Sequence, residues 1–169
     1  MSTRIQILLV DDEVRFLQTL AERLTIRDFD VVTATNGFEA LEKARGYTLD
    51  LAIVDLKMPG MDGEELLVKL KQEHPLVEVV ILTGHGSAAS MKRCEKVGSY
   101  SYLNKPCEMH ELVAVLREAF QRRMMRRLDL EREQLDLLVR RSAGETSLRV
   151  ILRLKEIEEE LLNKKSGES

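Results

Sequence analysis

The chain has 169 residues, 44% of them hydrophobic, and a formal net charge of -3. That length suits one packed domain plus an extension, and a domain of about 120 residues buries a core without disulfide or metal staples. Near-neutral charge, no Trp and 4% aromatic residues exclude a global basic field for nucleic acid and aromatic stacking platforms.

In chain order, Met1–Arg4 carries one charge before an apolar run, too short a start for a signal peptide. Ile5–Val10 is almost wholly apolar, as a strand covered on both faces should be. Val14, Leu17, Leu20, Ala21 and Leu24 recur at helical steps. Val31–Thr35 reads as a second strand, and Asn36-Gly37 ends it before a short helix face of Phe38, Leu41 and Ala44. Leu49–Asp55 is a third strand that stops on a carboxylate. A loop marked by Pro59-Gly60 and Asp62-Gly63 leads into a helix over Glu64–Glu73. Val77–Thr83 is a fourth strand, and Ala88–Val97 a helix with Gly98 as its left-handed cap. Ser101–Leu103 is a short fifth strand, broken by Asn104-Lys105-Pro106.

Strands alternating with helices predict an open parallel sheet with helices on both faces and right-handed crossovers. From Glu108 to Arg141 the pattern stays helical without Gly or Pro. It predicts one long helix whose distal part projects beyond a domain spanning residues 1–120. Ser142–Ser147 breaks it, Thr146 or Ser147 caps a second helix over Leu148–Asn163, and Lys164–Ser169 is expected to fray. Residues 121–169 thus form a helical extension. Met124, Leu128, Leu135 and Leu138 make one apolar stripe, and Val150, Leu154, Ile157 and Leu161 a better one. They need each other, a second copy or a partner protein, and a dimerising hairpin is the expected answer. The twenty-eight residues after Arg141 are too few for a winged helix.

In such sheets a ligand sits outside the carboxyl ends of the strands. Asp11, Asp12 and Glu13 follow the first strand, Asp55 ends the third, Thr83 ends the fourth and Lys105 follows the fifth. Four distant segments therefore converge on one edge. Clustered carboxylates repel, and a hard divalent cation relieves that cost. Asp12 and Asp55, with Asp11 acting through water, match magnesium. Asp55 is then a nucleophile for phosphoryl transfer. Lys105 neutralises phosphoryl charge, and Thr83 offers a hydroxyl donor. Alone, each residue has an ordinary reading: helix cap, loop cap, strand residue, surface charge. Their joint arrangement is what points to chemistry.

LLVDDE (Leu8–Glu13), DLKMPGMDG (Asp55–Gly63), ILTGHGS (Ile81–Ser87) and YLNKP (Tyr102–Pro106) resemble, in order and spacing, the receiver domain of two-component response regulators. The resemblance covers about Ile5 to Phe120. It implies a flavodoxin-like (βα)5 fold with strand order 2-1-3-4-5, followed here by an all-α extension. It implies phosphoryl transfer from a phosphohistidine of a sensor histidine kinase to Asp55, with Mg2+ on Asp11, Asp12, Asp55 and the Lys57 carbonyl. Thr83 and Tyr102 map to the family's switch pair, and Lys105 to its lysine, with a cis peptide before Pro106. Lys57 and His85 map to positions that tune the lifetime of the phosphoryl group.

The expected function is a phosphorylation-operated regulator, not a conventional enzyme, acting through protein contacts of the receiver face and helical tail. Its expected partners are a sensor kinase, a second copy of the chain and a downstream protein. Cys94 and Cys107 lack metal or CxxC spacing and read as reduced thiols, so a cytoplasmic location is expected. No apolar run is long enough to span a membrane. The cluster Arg122-Arg123-Met124-Met125-Arg126-Arg127 supports an alternative, DNA binding through an Arg-rich helix at 117–141. Thirteen basic residues face thirteen acidic ones between Glu108 and Ser169, which favours a salt-bridged helix instead. A metal-dependent phosphatase with an aspartyl nucleophile is a third reading.

Overall fold

The computed structural model describes residues 4–167. Five parallel strands, β1 (Gln6–Val10), β2 (Asp30–Ala34), β3 (Leu51–Val54), β4 (Glu78–Thr83) and β5 (Ser101–Asn104), pair in the order β2-β1-β3-β4-β5. This is the sheet order the resemblance implied. The crossovers are α1 (Val14–Thr25), α2 (Gly37–Gly46), α3 (Gly63–Glu73) and α4 (Ala88–Val97), followed by α5 (Met109–Leu128).

Alternation along the strands divides the core. Ile7, Leu9, Ile53, Val80 and Leu82 face α1 and α5. Leu8, Val10, Ala52, Val54, Val79 and Ile81 face α2, α3 and α4. Because both faces are covered, the strands need continuous apolar runs. Gly98 takes a positive φ of 114° and closes α4 in the left-handed region, which a residue without Cβ adopts freely. Cys94 and Cys107 are free thiols.

The C-terminal region departs from the sequence-based expectation. The long helix is interrupted: α5 stops at Leu128, and Asp129 adopts a left-handed φ of 53°. α6 (Arg132–Arg140) starts again behind a Glu131/Gln134 capping box, and α7 runs Ser147–Gly167. Asp is one of the few non-glycine residues that visits this conformation, at about 1–2 kcal/mol. Turning back offsets that cost. Met124 and Leu128 are buried in the same core as Leu116 and Phe120, together with Leu135, Val150, Ile151 and Leu154 from α6 and α7. A projecting helix would have left those side chains in water.

The expected frayed end is also ordered as helix through Gly167, and Lys165 Nζ donates to the Leu128 carbonyl at 3.2 Å. Residues 168–169 lie outside the described residues. Thr146 supplies the cap, its Oγ1 accepting from the Arg149 N–H at 3.4 Å.

The arginine cluster is held at the amino-terminal edge of the sheet. Buried Glu78, the first residue of β4, accepts from Arg122 and from Arg126, the latter at 2.8 Å. Buried Asp50 meets Arg123 at 2.9 Å and Lys155 at 3.3 Å. Buried Glu158 of α7 meets Arg123 at 2.7 Å and Arg127 at 3.4 Å. Asp50, Glu158, Arg123 and Lys155 form a charge-balanced group that bolts α7 to the sheet. Removing one partner strands buried charge. Arg123→Ala is therefore expected to lower unfolding free energy by about 3–5 kcal/mol in urea titrations, with receiver and tail losing helicity together. A change below about 0.5 kcal/mol, the scale of an ordinary surface substitution, would show that the tail is not bolted to the domain.

Candidate functional site

Asp11, Asp55 and Lys105 are each fixed by a backbone bond to a neighbouring strand. The Asp11 N–H donates to the Ala34 carbonyl at 3.2 Å, and the Asp55 N–H to that of Val10 at 3.0 Å. The Lys105 N–H donates to the Thr83 carbonyl at 2.9 Å. Parallel register thus brings the ends of β1, β3, β4 and β5 to one edge.

There, Asp11, Asp12 and Asp55 each offer a carboxylate oxygen within 4.8 Å of the others. Asp11 and Asp55 are only 2% and 3% exposed. Asp11 Oδ1 accepts from the Glu13 N–H at 2.9 Å, and its Oδ2 from Lys105 Nζ at 2.5 Å. Asp55 Oδ1 accepts from the Leu56 N–H at 2.8 Å. Its Oδ2 lies 3.6 Å from Lys105 Nζ and has no such backbone donor among the described residues. Lys105 also sits 3.6 Å from Glu13 Oε1 and 4.0 Å above the centre of the Phe16 ring.

Burial pushes the Asp11 carboxyl above its ordinary range, against the opposing pull of the Lys105 and Glu13 hydrogen bonds and the Lys105 charge; the Asp55 charge adds to the rise. Burial acts to lower the Lys105 ammonium, but the hydrogen bond to Asp11 and the charges of Asp11, Asp55 and Glu13 outweigh it and raise it. Lys105 therefore stays charged across the physiological range. One ammonium against three clustered carboxylates leaves two negative charges uncompensated. An all-oxygen donor set with that excess fits a hard divalent cation such as magnesium. Asp12, Asp55 and Lys57 line an open cleft of about 600 Å³, with Glu13, Pro59 and His85 on its walls.

Asp11 and Lys105 back this cleft. Thr83 is fully buried at the end of β4, and its Oγ1 accepts from the His85 N–H at 3.2 Å. That bond uses a lone pair and leaves the hydroxyl proton to donate. Tyr102 lies apart from the cleft, half-buried, its hydroxyl 2.9 Å from Ser90 Oγ on α4.

Sequence reasoning missed Phe16, Ser90 and the role of Gly63. Gly63 served there only as loop punctuation. In the fold, a Cβ on Gly63 would lie 2.1 Å from the Asp55 carbonyl oxygen and 2.7 Å from Leu56 Cα. The Asp62/Glu65 capping box starts α3 at this point, and the Gly63 N–H donates to the Leu56 carbonyl at 2.7 Å. Glycine permits that close approach. The Asp62-Gly63 pair ahead of a helix was the available signal.

The model of the family described as response regulator receiver domain matches residues 7–117. The DNA-binding transcriptional regulator NtrC of Escherichia coli (strain K12) is 32% identical over 149 residues, covering 86% of this chain and 32% of that protein. The chain thus spans about a third of that relative's length. A signal receiver domain of an HD domain-containing protein from Pseudomonas fluorescens Pf-5 superposes with a TM-score of 0.72 at 30% identity, over 77% of this chain and 96% of that one. A CheY-like response regulator receiver domain protein from Methanospirillum hungatei JF-1 gives 0.69 at 28% identity, over 71% and 96%.

Gly63→Ala is expected to cost about 1–3 kcal/mol, the range for overpacking, and to displace the Asp55 backbone. Urea unfolding together with the amide NMR shifts of Asp55 and Leu56 checks both. Unchanged shifts would mean that the loop absorbs the methyl group elsewhere.

Proposed function

Because the chain belongs to the response regulator receiver family, we propose that it is switched by transfer of a phosphoryl group from a sensor kinase phosphohistidine onto Asp55. The observation that carries this reading is the pairing of a buried Asp55, whose Oδ2 faces the Lys105 ammonium, with an open acidic cleft large enough for a phosphoryl donor.

Asp55 Oδ1 is held by the Leu56 N–H, so Oδ2 is the attacking atom. It forms the new O–P bond as the N–P bond to the donor imidazole breaks and the electron pair stays on that nitrogen. Asp12, Asp55 and the Lys57 carbonyl, with Asp11 through water, would hold Mg2+. That ion, when bound, supplies charge neutralisation for the phosphoryl oxygens. Lys105 adds a fixed ammonium, and Thr83 can donate its proton to a phosphoryl oxygen without releasing His85. Such transfer depends mainly on positioning and electrostatics. The added charge of about -1.5 to -2 lands beside the loop from Thr83 to Ser87, which is thereby biased.

Output through protein contacts is the reading that best fits the tail. The relative's name specifies DNA binding, but Arg122, Arg123, Arg126 and Arg127 are engaged by Glu78, Asp50 and Glu158. Arginines committed to carboxylates are weak phosphate ligands. Self-association through the C-terminal helices would use what the fold leaves outside, such as Leu137, 62% exposed on α6. Among the described residues no helix is long and apolar enough to cross a membrane, and a cytoplasmic setting fits the free thiols.

Incubated with a small acyl-phosphate and Mg2+, the protein is expected to gain one phosphoryl group by intact-mass spectrometry. Asp55→Asn, or removal of divalent ions by EDTA, should abolish the gain. Continuous turnover of phosphate esters would instead identify a phosphatase. Light scattering with and without beryllofluoride reports whether the switch governs assembly.

A further inference from the structure

The loop between β4 and α4 joins the Thr83 hydroxyl, at the phosphoryl end, to the first turn of α4. It is fastened at both ends. At the start, Thr83 Oγ1 accepts from the His85 N–H. At the end, Ser87 caps α4, its hydroxyl accepting from the Ser90 N–H at 3.1 Å while Ser90 Oγ accepts from the Ser87 N–H at 2.9 Å.

Ser90 does more than close this cap. It is buried, 6% exposed, and donates its single proton to the Ser87 carbonyl at 2.9 Å. The 2.9 Å contact with the Tyr102 hydroxyl must then have Tyr102 as donor. Gly86 sets the same geometry by its size. A Cβ there would fall 1.8 Å from the Tyr102 hydroxyl oxygen and 2.6 Å from Cζ. The tyrosine ring therefore occupies the space a side chain at residue 86 would need.

We propose that Ser90 is a positioning residue: with Gly86 it latches the Tyr102 ring beneath the loop before any phosphoryl group arrives, and so presets Thr83 and His85 for an anion on Asp55. This rests on the phospho-acceptor reading above. Without the latch the Tyr102 ring no longer props the loop from beneath, and a ligand at the cleft must supply that ordering. Affinity for a phosphoryl-like anion should fall accordingly.

The test uses the full chain labelled with 3-fluorotyrosine, and beryllofluoride with Mg2+ as the probe. The 19F resonance of Tyr102, assigned by its loss in Tyr102→Phe, reports the ring position without ligand. Ser90→Ala and Gly86→Ala should each move this resonance toward the solvent-exposed position and weaken beryllofluoride binding roughly threefold to tenfold, the scale of one hydrogen bond. Ser90→Thr, which keeps the hydroxyl, should restore both. Tyr102→Phe leaves the α4 cap intact and should weaken binding as Ser90→Ala does. Combining the two should add little to the loss of binding, because the Ser90–Tyr102 bond is the one that both remove. A Tyr102 resonance unmoved by Ser90→Ala would overturn the latch, as would a moved resonance with unchanged or tighter binding. Failure of the unmutated protein to bind beryllofluoride would instead sink the phospho-acceptor reading, while the resonance shifts would still report the latch.

Discussion

Three carboxylates held within 4.8 Å of one another, facing the half-buried Lys105 ammonium, are the constraint around which this molecule is organised. Such a cluster is expensive unless backbone and cation are fixed in advance. β1 and β3 present Asp11 and Asp55 through bonds to adjacent strands, and the Lys105 N–H is tied to the end of β4. Phe16, from the first turn of α1, supports the lysine from below. The charge left over is what the proposed divalent ion and phosphoryl group would meet at this edge. The same strand ends that hold the like charges together leave the cleft open on its outer side.

The opposite edge of the sheet solves the reverse problem. Asp50 and Glu78 are buried near the starts of β3 and β4, where no ligand needs them. The tail neutralises them: Arg122, Arg123 and Arg126 from α5, and Lys155 from α7. Buried pairs of this kind add little net stability over apolar packing, but they penalise any arrangement that leaves one member unpaired. They set where α7 rests. The apolar contacts of Val150, Ile151 and Leu154 supply the burial. The C-terminal helices are thus part of the core rather than an appendage to it.

At the same edge as the carboxylates, the loop from Thr83 to Ser87 leads into α4. A hydroxyl that can both accept from His85 and donate to a phosphoryl oxygen stands at one end, and the Ser87/Ser90 cap with Tyr102 at the other. Under the proposed transfer, the charge added at Asp55 would fall beside this loop, whose far end is bonded to α4 and β5. Tyr102 stands outside the cleft, bonded to α4 through Ser90.

By itself, the sequence determined the alternation of strands and helices, the parallel sheet and the convergence of Asp11, Asp12, Asp55, Thr83 and Lys105. Apolar runs of five or six residues between helical patterns admit few topologies, and strand ends on a parallel sheet share an edge whatever the packing details. Chain spacing likewise exposed Gly98 and the cap of α7. What only the tertiary structure decided was contact between distant groups. Residues 108–141 contain no local helix breaker, so the left-handed turn at Asp129 follows from the burial of Met124 and Leu128 under α7. The arginines look free for nucleic acid until Asp50, Glu78 and Glu158 are brought beside them. Gly63, Gly86 and Ser90 read as loop and cap residues because their importance lies in a backbone or a ring folded against them. Periodicity records which face of an element is apolar; only the closed fold records what lies on the other side of it.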